Sequence, residues 1–184
     1  MNGKKKNYNL NARVTCALLI TLIIILSHFL AIQTPAVRIS FAFIPLALSG
    51  MMFGPAYGFA VGASSDILGV LLFNNTGGFP HPGFTAVAAM SGMLYGLLLY
   101  EKAGEPKWDN RKFFIRVLIV TLIINIPLEL GLNTLWLTQI LGKGFLVIVP
   151  ARAVKQLAMI AVECALLPLV RRVLEKPIAE VKIK

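Results

Sequence analysis

Two cations stand three residues apart inside an apolar stretch, Arg152 and Lys155 in "GFLVIVPARAVKQLAMIAVECALLPLV", with Gln156 directly after them and Lys143 shortly before. On a helix, residues three apart share a face, so the pair presents a guanidinium and an ammonium side by side. That chemistry suits carboxylate or phosphate, which an arginine grips with two parallel hydrogen bonds. Asp66, in "GASSDILG", is a carboxylate among small and apolar residues. Such a group accepts paired N–H donors of the kind that a pterin or guanine-like ring edge carries. Asn133 and Trp136 in "ELGLNTLWL" add an amide and an indole, and Phe79 in "NNTGGFPHPGF" adds a second ring. Trp136 and Phe79 can sandwich a flat ring system. Arg38 and His28 (in "LSHFL") are further candidates, with His28 open to a second reading as an interfacial residue. The set is one for recognition of a flat, negatively charged small molecule.

Bond-making chemistry is not indicated. No G-x-x-x-x-G-K-[ST] loop is present to cradle nucleotide phosphates, nor H-E-x-x-H, nor G-x-S-x-G, so ATP hydrolysis is not expected of this chain. Its carboxylates are not closely spaced as metal-dependent membrane transferases require, and no metal or cofactor is expected. Cys16 and Cys164 form no CxxC pair and read as small packing residues. Glu129 and Glu163 lie in apolar surroundings, open to a proton-relay role or to pairing with polar groups inside the protein.

The elements that must position these side chains are membrane spans. The 184 residues are 57% hydrophobic and 14% charged, with a mean hydropathy of +0.77, whereas soluble domains carry about 25% charge. A spanning helix needs about 20 apolar residues. Helices are expected at 12–32, 39–53, 56–73, 84–100, 113–138 and 150–170, the second and third split at Gly54-Pro55, a strong breaker pair. The first run is long for a signal peptide and similar segments follow, so it reads as an uncleaved span. The sequence therefore predicts an all-α integral membrane protein: six transmembrane helices in one bundle (12–172), a basic N-terminus (1–11) and a C-terminal tail (173–184).

Six spans put both termini on one side. On that side fall 14 of the 18 Lys and Arg residues, and Arg38, Lys143, Arg152 and Lys155 fall on the other. By the positive-inside rule both termini are cytoplasmic. The net charge of +10 is then topology and attraction to the anionic lipid of the bilayer, not a sign of nucleic acid. The four outer cations admit two readings. Long stems can lie in lipid while their heads reach the interface. Alternatively, the cations line a cavity, since ionisable groups at depth cost about 2.5–3.5 kcal/mol each on insertion scales and mark substrate paths. At about 1.5 Å per helical residue, Asp66, Asn133, Trp136, Arg152, Lys155 and Gln156 share one layer in the outer half. An internal Asp66–Arg152 salt bridge would leave the other cations to a ligand. The loop "NNTGGFPHPGF" suits either a cover over that layer or a plain connector.

The order of these blocks resembles the substrate-binding S components of energy-coupling factor (ECF) vitamin transporters. The resemblance runs through "ALLITLIIILSHFL", "VRISFAFIPLALSGMMFGPAYGFAVGASSDILG", "FPHPGFTAVAAMSGMLYGLLLY" and "LNTLWL…GKGFLVIVPARAVKQ", and the later blocks are similar to the folate-specific branch. It implies high-affinity capture of folate from outside. Delivery would follow by docking and toppling on an ECF module, a membrane T component with two cytosolic ATPases, in a bacterial plasma membrane. Asp66 would take the pterin edge, and Arg152 and Lys155 the carboxylates of the tail. Docking in this family uses an AxxxA pattern on the first helix. Ala17 and Thr21 in "ALLIT" match it with threonine for the second alanine, and His28 stands where "LSRFL" would carry arginine. Three other readings stay open: an S component for a neutral ring system such as riboflavin, an enzyme acting on an anionic lipid head group, and a gradient-driven carrier using Glu129 or Glu163.

Overall fold

The computed structural model describes residues 2–33, 38–73, 81–101, 108–142 and 144–183, with the side chains of 2–9, 33, 38 and 173–183 excepted. Helix α1 (Asn2–His28) leads to a two-residue antiparallel ladder, β1 (Ile32–Gln33) with β2 (Arg38–Ile39), in which Ile32 pairs with Ile39. Then come α2 (Phe43–Phe53), α3 (Pro55–Phe73), α4 (Pro82–Leu99) and α5 (Asn110–Ile123). The rod begun by α5 continues through a π-helical segment (Ile124–Leu132) into α6 (Asn133–Leu141), and α7 (Phe145–Ile183) follows.

Five of these helices are long and apolar enough to cross a membrane, counting Asn110–Leu141 as one. The remaining helix, α2, has eleven residues, roughly 16 Å, about half of a 30 Å hydrocarbon core. The break expected at Gly54-Pro55 is where it ends: Gly54 adopts φ 91°, a left-handed conformation that glycine takes without steric penalty.

Several boundaries differ from those read off the sequence: α1 already begins at Asn2 and α7 runs on to Ile183, and three further differences bear on the cavity. Helix α1 stops at His28 instead of residue 32, and α2 begins at Phe43 instead of 39, because Ile32 and Arg38–Ile39 pair as strands. β-Branched side chains favour extended backbone, and Thr34-Pro35 between them disfavours helix. Helix α7 begins at Phe145, five residues ahead of Pro150. Pro150 is then the sixth helical residue, past the first turn, where its missing N–H withholds the usual i+4 donor from the Leu146 carbonyl. Arg152 is therefore roughly 10 Å and Lys155 roughly 15 Å along the helix, deeper than a start at Pro150 would put them.

The burial pattern is inverted relative to a soluble protein. Along α7, Arg152, Gln156, Glu163, Leu167 and Arg171 are buried, while Leu146, Val147, Val154 and Leu157 are exposed. Polar groups look inward and aliphatic ones outward, as a bilayer solvent demands. The early part of α1 and the later part of α7 lie at one end of the bundle. There Ala12 and Cys16 of α1 cluster with Phe53, Tyr100 covers Gly54, and Arg171 pairs with Glu101 at 2.7 Å. Arg171 also donates to the Trp108 carbonyl at 3.0 Å, so this near end ties α7 to the start of α5. The far end gathers His28, Phe73, His81 and Trp136.

Helices α2, α3 and α4 touch backbone to backbone. A Cβ on Gly58 would overlap the Gly92 carbonyl, one on Gly62 the Ala88 carbonyl, and one on Gly50 would sit 2.6 Å from Gly96 N. Gly58–Gly62 and Gly92–Gly96 are two GxxxG pairs, the spacing that lets membrane helices approach closely without a hydrophobic drive. Gly58→Ala and Gly92→Ala are each expected to lower unfolding free energy in detergent by about 1–3 kcal/mol, as overpacking does. Gly144→Ala, whose Cβ would meet nothing nearer than 4.0 Å, is expected to stay within about 0.5 kcal/mol.

Candidate functional site

At the far end a cavity of about 630 Å³ opens between the helices, with walls from α1 to α4, the π segment, α6 and α7. Its size falls in the roughly 300–1,000 Å³ range of small-molecule pockets. Three polar groups of residues mark it: one on α3–α4, one on the π segment with α6 and α7, and one deeper, between α4, the π segment and α7.

The first group is Asp66. It comes seven residues before the end of α3, and Thr85 of α4 donates its hydroxyl to Asp66 Oδ2 at 2.7 Å. The neighbouring start of α4 is set by His81, whose Nδ1 accepts from Gly83 N at 3.2 Å, with Pro82 in the first turn. Pro-initiated helices with a side-chain cap begin sharply, which fixes Phe84 on the wall and Thr85 against Asp66.

The second group centres on Glu129. Pro127 has no N–H to give to Ile123, so the rod widens into π turns around it. Where the wide turns end, Asn133 N–H reaches back to the Leu128 carbonyl. The next carbonyl, Glu129 O, takes side-chain donors: Arg152 Nη2 at 3.0 Å and Thr134 Oγ1 at 3.4 Å. The Glu129 carboxylate faces the same way, and four donors from two elements converge on its Oε2. They are Asn133 Nδ2 at 3.1 Å, Arg152 Nη2 at 3.3 Å, Gln156 Nε2 at 3.4 Å and Lys155 Nζ at 3.9 Å. The carboxylate set against Arg152 is thus Glu129. The side chains of Arg152 and Lys155 are only 10% and 13% exposed, which removes the need for them to reach the interface by snorkelling.

The third group is Glu163, buried, whose oxygens accept from Tyr95 Oη at 2.9 Å and Asn125 Nδ2 at 3.2 Å. Asn125 Nδ2 also donates to the Thr121 carbonyl at 3.0 Å. Both glutamates therefore pair with polar groups inside the bundle, one of the two roles the sequence left open for them.

The structure brings Asn133, Arg152, Lys155 and Gln156 together on Glu129, and Asp66 lies on another wall of the same cavity. His28 also lines it, its ring stacked on Phe73 with centroids 4.7 Å apart and its Nδ1 3.1 Å from the Ile24 carbonyl. The Trp136 indole lies on the Gly83 backbone and beside His81, with ring centroids 5.5 Å apart. Arg38 enters through its backbone, in the β1–β2 ladder; its side chain, Phe79 and Lys143 lie outside the described residues. Ala17 and Thr21 are exposed on α1, and the Thr21 hydroxyl donates to the Ala17 carbonyl at 3.0 Å. That bond turns the hydroxyl back on its own helix and leaves the face apolar. Among the described residues no group of three His, Cys, Asp or Glu is placed to hold a metal ion.

Sequence reasoning missed the organising role of Glu129 and the Asp66–Thr85 bond. Glu129 and Asn133 are spaced i, i+4 two residues after a mid-span proline, and that spacing was the available signal. For Thr85 no such local signal exists.

A bundle of membrane-length helices around a polar cavity defines a membrane-embedded subunit that binds a small molecule. Comparison with known proteins gives the family. The family model of the substrate-specific component of ECF transporters matches residues 12–171, and this chain belongs to that family. A folate transporter FolT from Clostridium novyi (strain NT) is 42% identical over 149 residues, 81% of each chain. Another FolT, from Leuconostoc mesenteroides subsp. mesenteroides, is 29% identical over 155 residues, covering 82% of this chain and 78% of that one. The crystal structure of a FolT bound with folic acid matches with a TM-score of 0.71 at 31% identity, over 82% of this chain and 86% of that one. The chain is a multi-pass membrane protein and a transport component, not an enzyme.

Tyr95→Phe strips one of the two side-chain donors from buried Glu163. It is expected to lower stability by about 1–3 kcal/mol, the usual penalty for an abandoned buried partner, read as a drop in melting temperature in detergent.

Proposed function

We propose that this chain is the folate-binding subunit of an ECF transporter in a bacterial cell membrane. It takes folate from outside into the far-end cavity and is emptied on an ATP-driven module. The observation that carries the reading is the separation of acceptor and donor walls within one cavity. Asp66, held by Thr85, offers acceptor oxygens at one place, and Arg152 and Lys155 offer cations at another. Folate is divided in the same sense, with an N–H-rich ring edge at one end and carboxylates at the other. A neutral ring system would match the first wall alone. The 42% identity to a folate transporter supports the same substrate.

In this reading the Arg152 guanidinium and Lys155 ammonium bind the carboxylate tail, with Asn133 and Gln156 as amide donors beside them. Asp66 takes the pterin edge. His28, on the cavity wall, and Arg38 would add further contacts, and Phe79 and Trp136 aromatic surface. The remaining expectations rest on sequence and family. Both termini face the cytoplasm because the near end carries the bulk of the Lys and Arg residues. The T component would dock on the small-residue face of α1 around Ala17 and Thr21, where close helix approach is possible. The cytosolic ATPases would supply the energy for which this chain carries no nucleotide loop.

Tryptophan fluorescence of the purified protein in detergent tests the substrate. Saturable quenching by folic acid and none by riboflavin is expected. Arg152→Ala/Lys155→Ala is expected to weaken folic acid binding at least about thirtyfold, since truncating one partner of a buried charge pair costs about 2–5 kcal/mol. Quenching by riboflavin at similar affinity would overturn the assignment. For transport, proteoliposomes holding this chain alone are expected to accumulate no folate, and those that also hold the ECF module to accumulate it with ATP. Uptake by the chain alone would instead indicate a self-sufficient carrier.

A further inference from the structure

The donors assigned to the ligand's carboxylates are already gathered on a carboxylate of the protein. Asn133 Nδ2, Arg152 Nη2, Gln156 Nε2 and Lys155 Nζ all point at Glu129 Oε2, at 3.1, 3.3, 3.4 and 3.9 Å. Glu129 lines the cavity, and its side chain is 26% exposed, so a molecule in the cavity can reach it. Arg152 is also held through the Glu129 carbonyl at 3.0 Å. If the carboxylate moved away, the guanidinium would keep that backbone anchor and its position.

We infer that the Glu129 carboxylate is a built-in stand-in for the carboxylate of the ligand, displaced from the Arg152, Lys155, Asn133 and Gln156 donors when an anionic ligand binds. It is a specificity-determining residue for the site proposed above, and the inference rests on that reading. Without ligand, Glu129 gives the cations a counter-charge inside the bilayer, where unpaired ions are costly. With ligand, the incoming carboxylate must compete with Glu129 for the same N–H groups and is repelled by its charge. A ligand lacking a carboxylate neither competes nor is repelled. Glu129 therefore sets how much of the affinity comes from the anionic tail.

The test compares two probes, folic acid and 6-hydroxymethylpterin, which keeps the ring edge but has no carboxylate. Both are titrated by tryptophan fluorescence into the wild type and Glu129→Gln, which keeps size and an acceptor oxygen but loses the charge. The affinity ratio of folic acid to 6-hydroxymethylpterin is expected to rise by about tenfold or more in Glu129→Gln, in the range of measured charge-pair couplings. A role confined to folding or to positioning Arg152 would leave the ratio unchanged or lower it, and either result overturns the inference. Glu129→Asp, which withdraws the charge by one methylene, is expected to move the ratio the same way by a smaller factor, and serves if Glu129→Gln does not fold. Failure of the wild type to bind folic acid would instead overturn the folate reading, and the stand-in role with it.

Discussion

A cation inside a bilayer needs a counter-charge, and much of this structure is organised around the one that Glu129 supplies. Arg152 and Lys155 enter the membrane on α7 at a depth where an isolated charge is strongly disfavoured. Their carboxylate comes from a different helix, and its direction depends on a change of helical register. Pro127 removes one backbone donor, the rod widens, and the carbonyl and carboxylate of Glu129 both turn toward α7. An undistorted α-helix there would commit the Glu129 carbonyl to the Asn133 N–H. The π segment thus does two jobs with one residue: it anchors the guanidinium through the backbone and neutralises it through the side chain.

The remaining polar groups follow the same rule of internal satisfaction. Lipid offers no hydrogen bonds, so every inward polar side chain has to find its partner across a helix interface. Asp66 and Thr85 join α3 to α4, and Tyr95, Asn125 and Glu163 join α4, the π segment and α7. These bonds hold the walls of the cavity apart at set distances while the aliphatic exterior is left to the bilayer. They also explain why a 630 Å³ space persists among helices that could otherwise pack side chain to side chain. Its polar lining is better satisfied by cross-helix pairs and a polar ligand than by collapse.

Much of this architecture was legible in the sequence. Apolar runs of spanning length, the breaker at Gly54-Pro55 and the charge asymmetry are local or compositional signals, and they gave the bundle and its six helices. The polar layer was legible too, because depth follows from distance to a helix end. Helix starts and stops were less so: Pro150 reads as a beginning, yet α7 starts five residues ahead of it and passes through it. Pairing between helices was not legible at all. Which carboxylate meets Arg152 depends on how helices rotate against one another, and that rotation is set by non-local contacts. The two GxxxG pairs at Gly58–Gly62 and Gly92–Gly96 carried part of that information, as did the i, i+4 spacing of Glu129 and Asn133.

The glycine seam divides the molecule into halves with different freedom to change. Where α2, α3 and α4 meet backbone to backbone, no side chain can be enlarged without pushing main chain apart, and main chain does not repack as a side chain does. The wall formed by the π segment, α6 and α7 is made of long side chains that meet at their tips. A substitution there can be absorbed by a neighbour choosing another rotamer. A bundle built this way can acquire a new ligand by stepwise exchange of residues on one wall, while the other wall keeps the fold. Descent with altered specificity is then open to this scaffold at the side chains that line the cavity and closed at the glycine contacts between α2, α3 and α4.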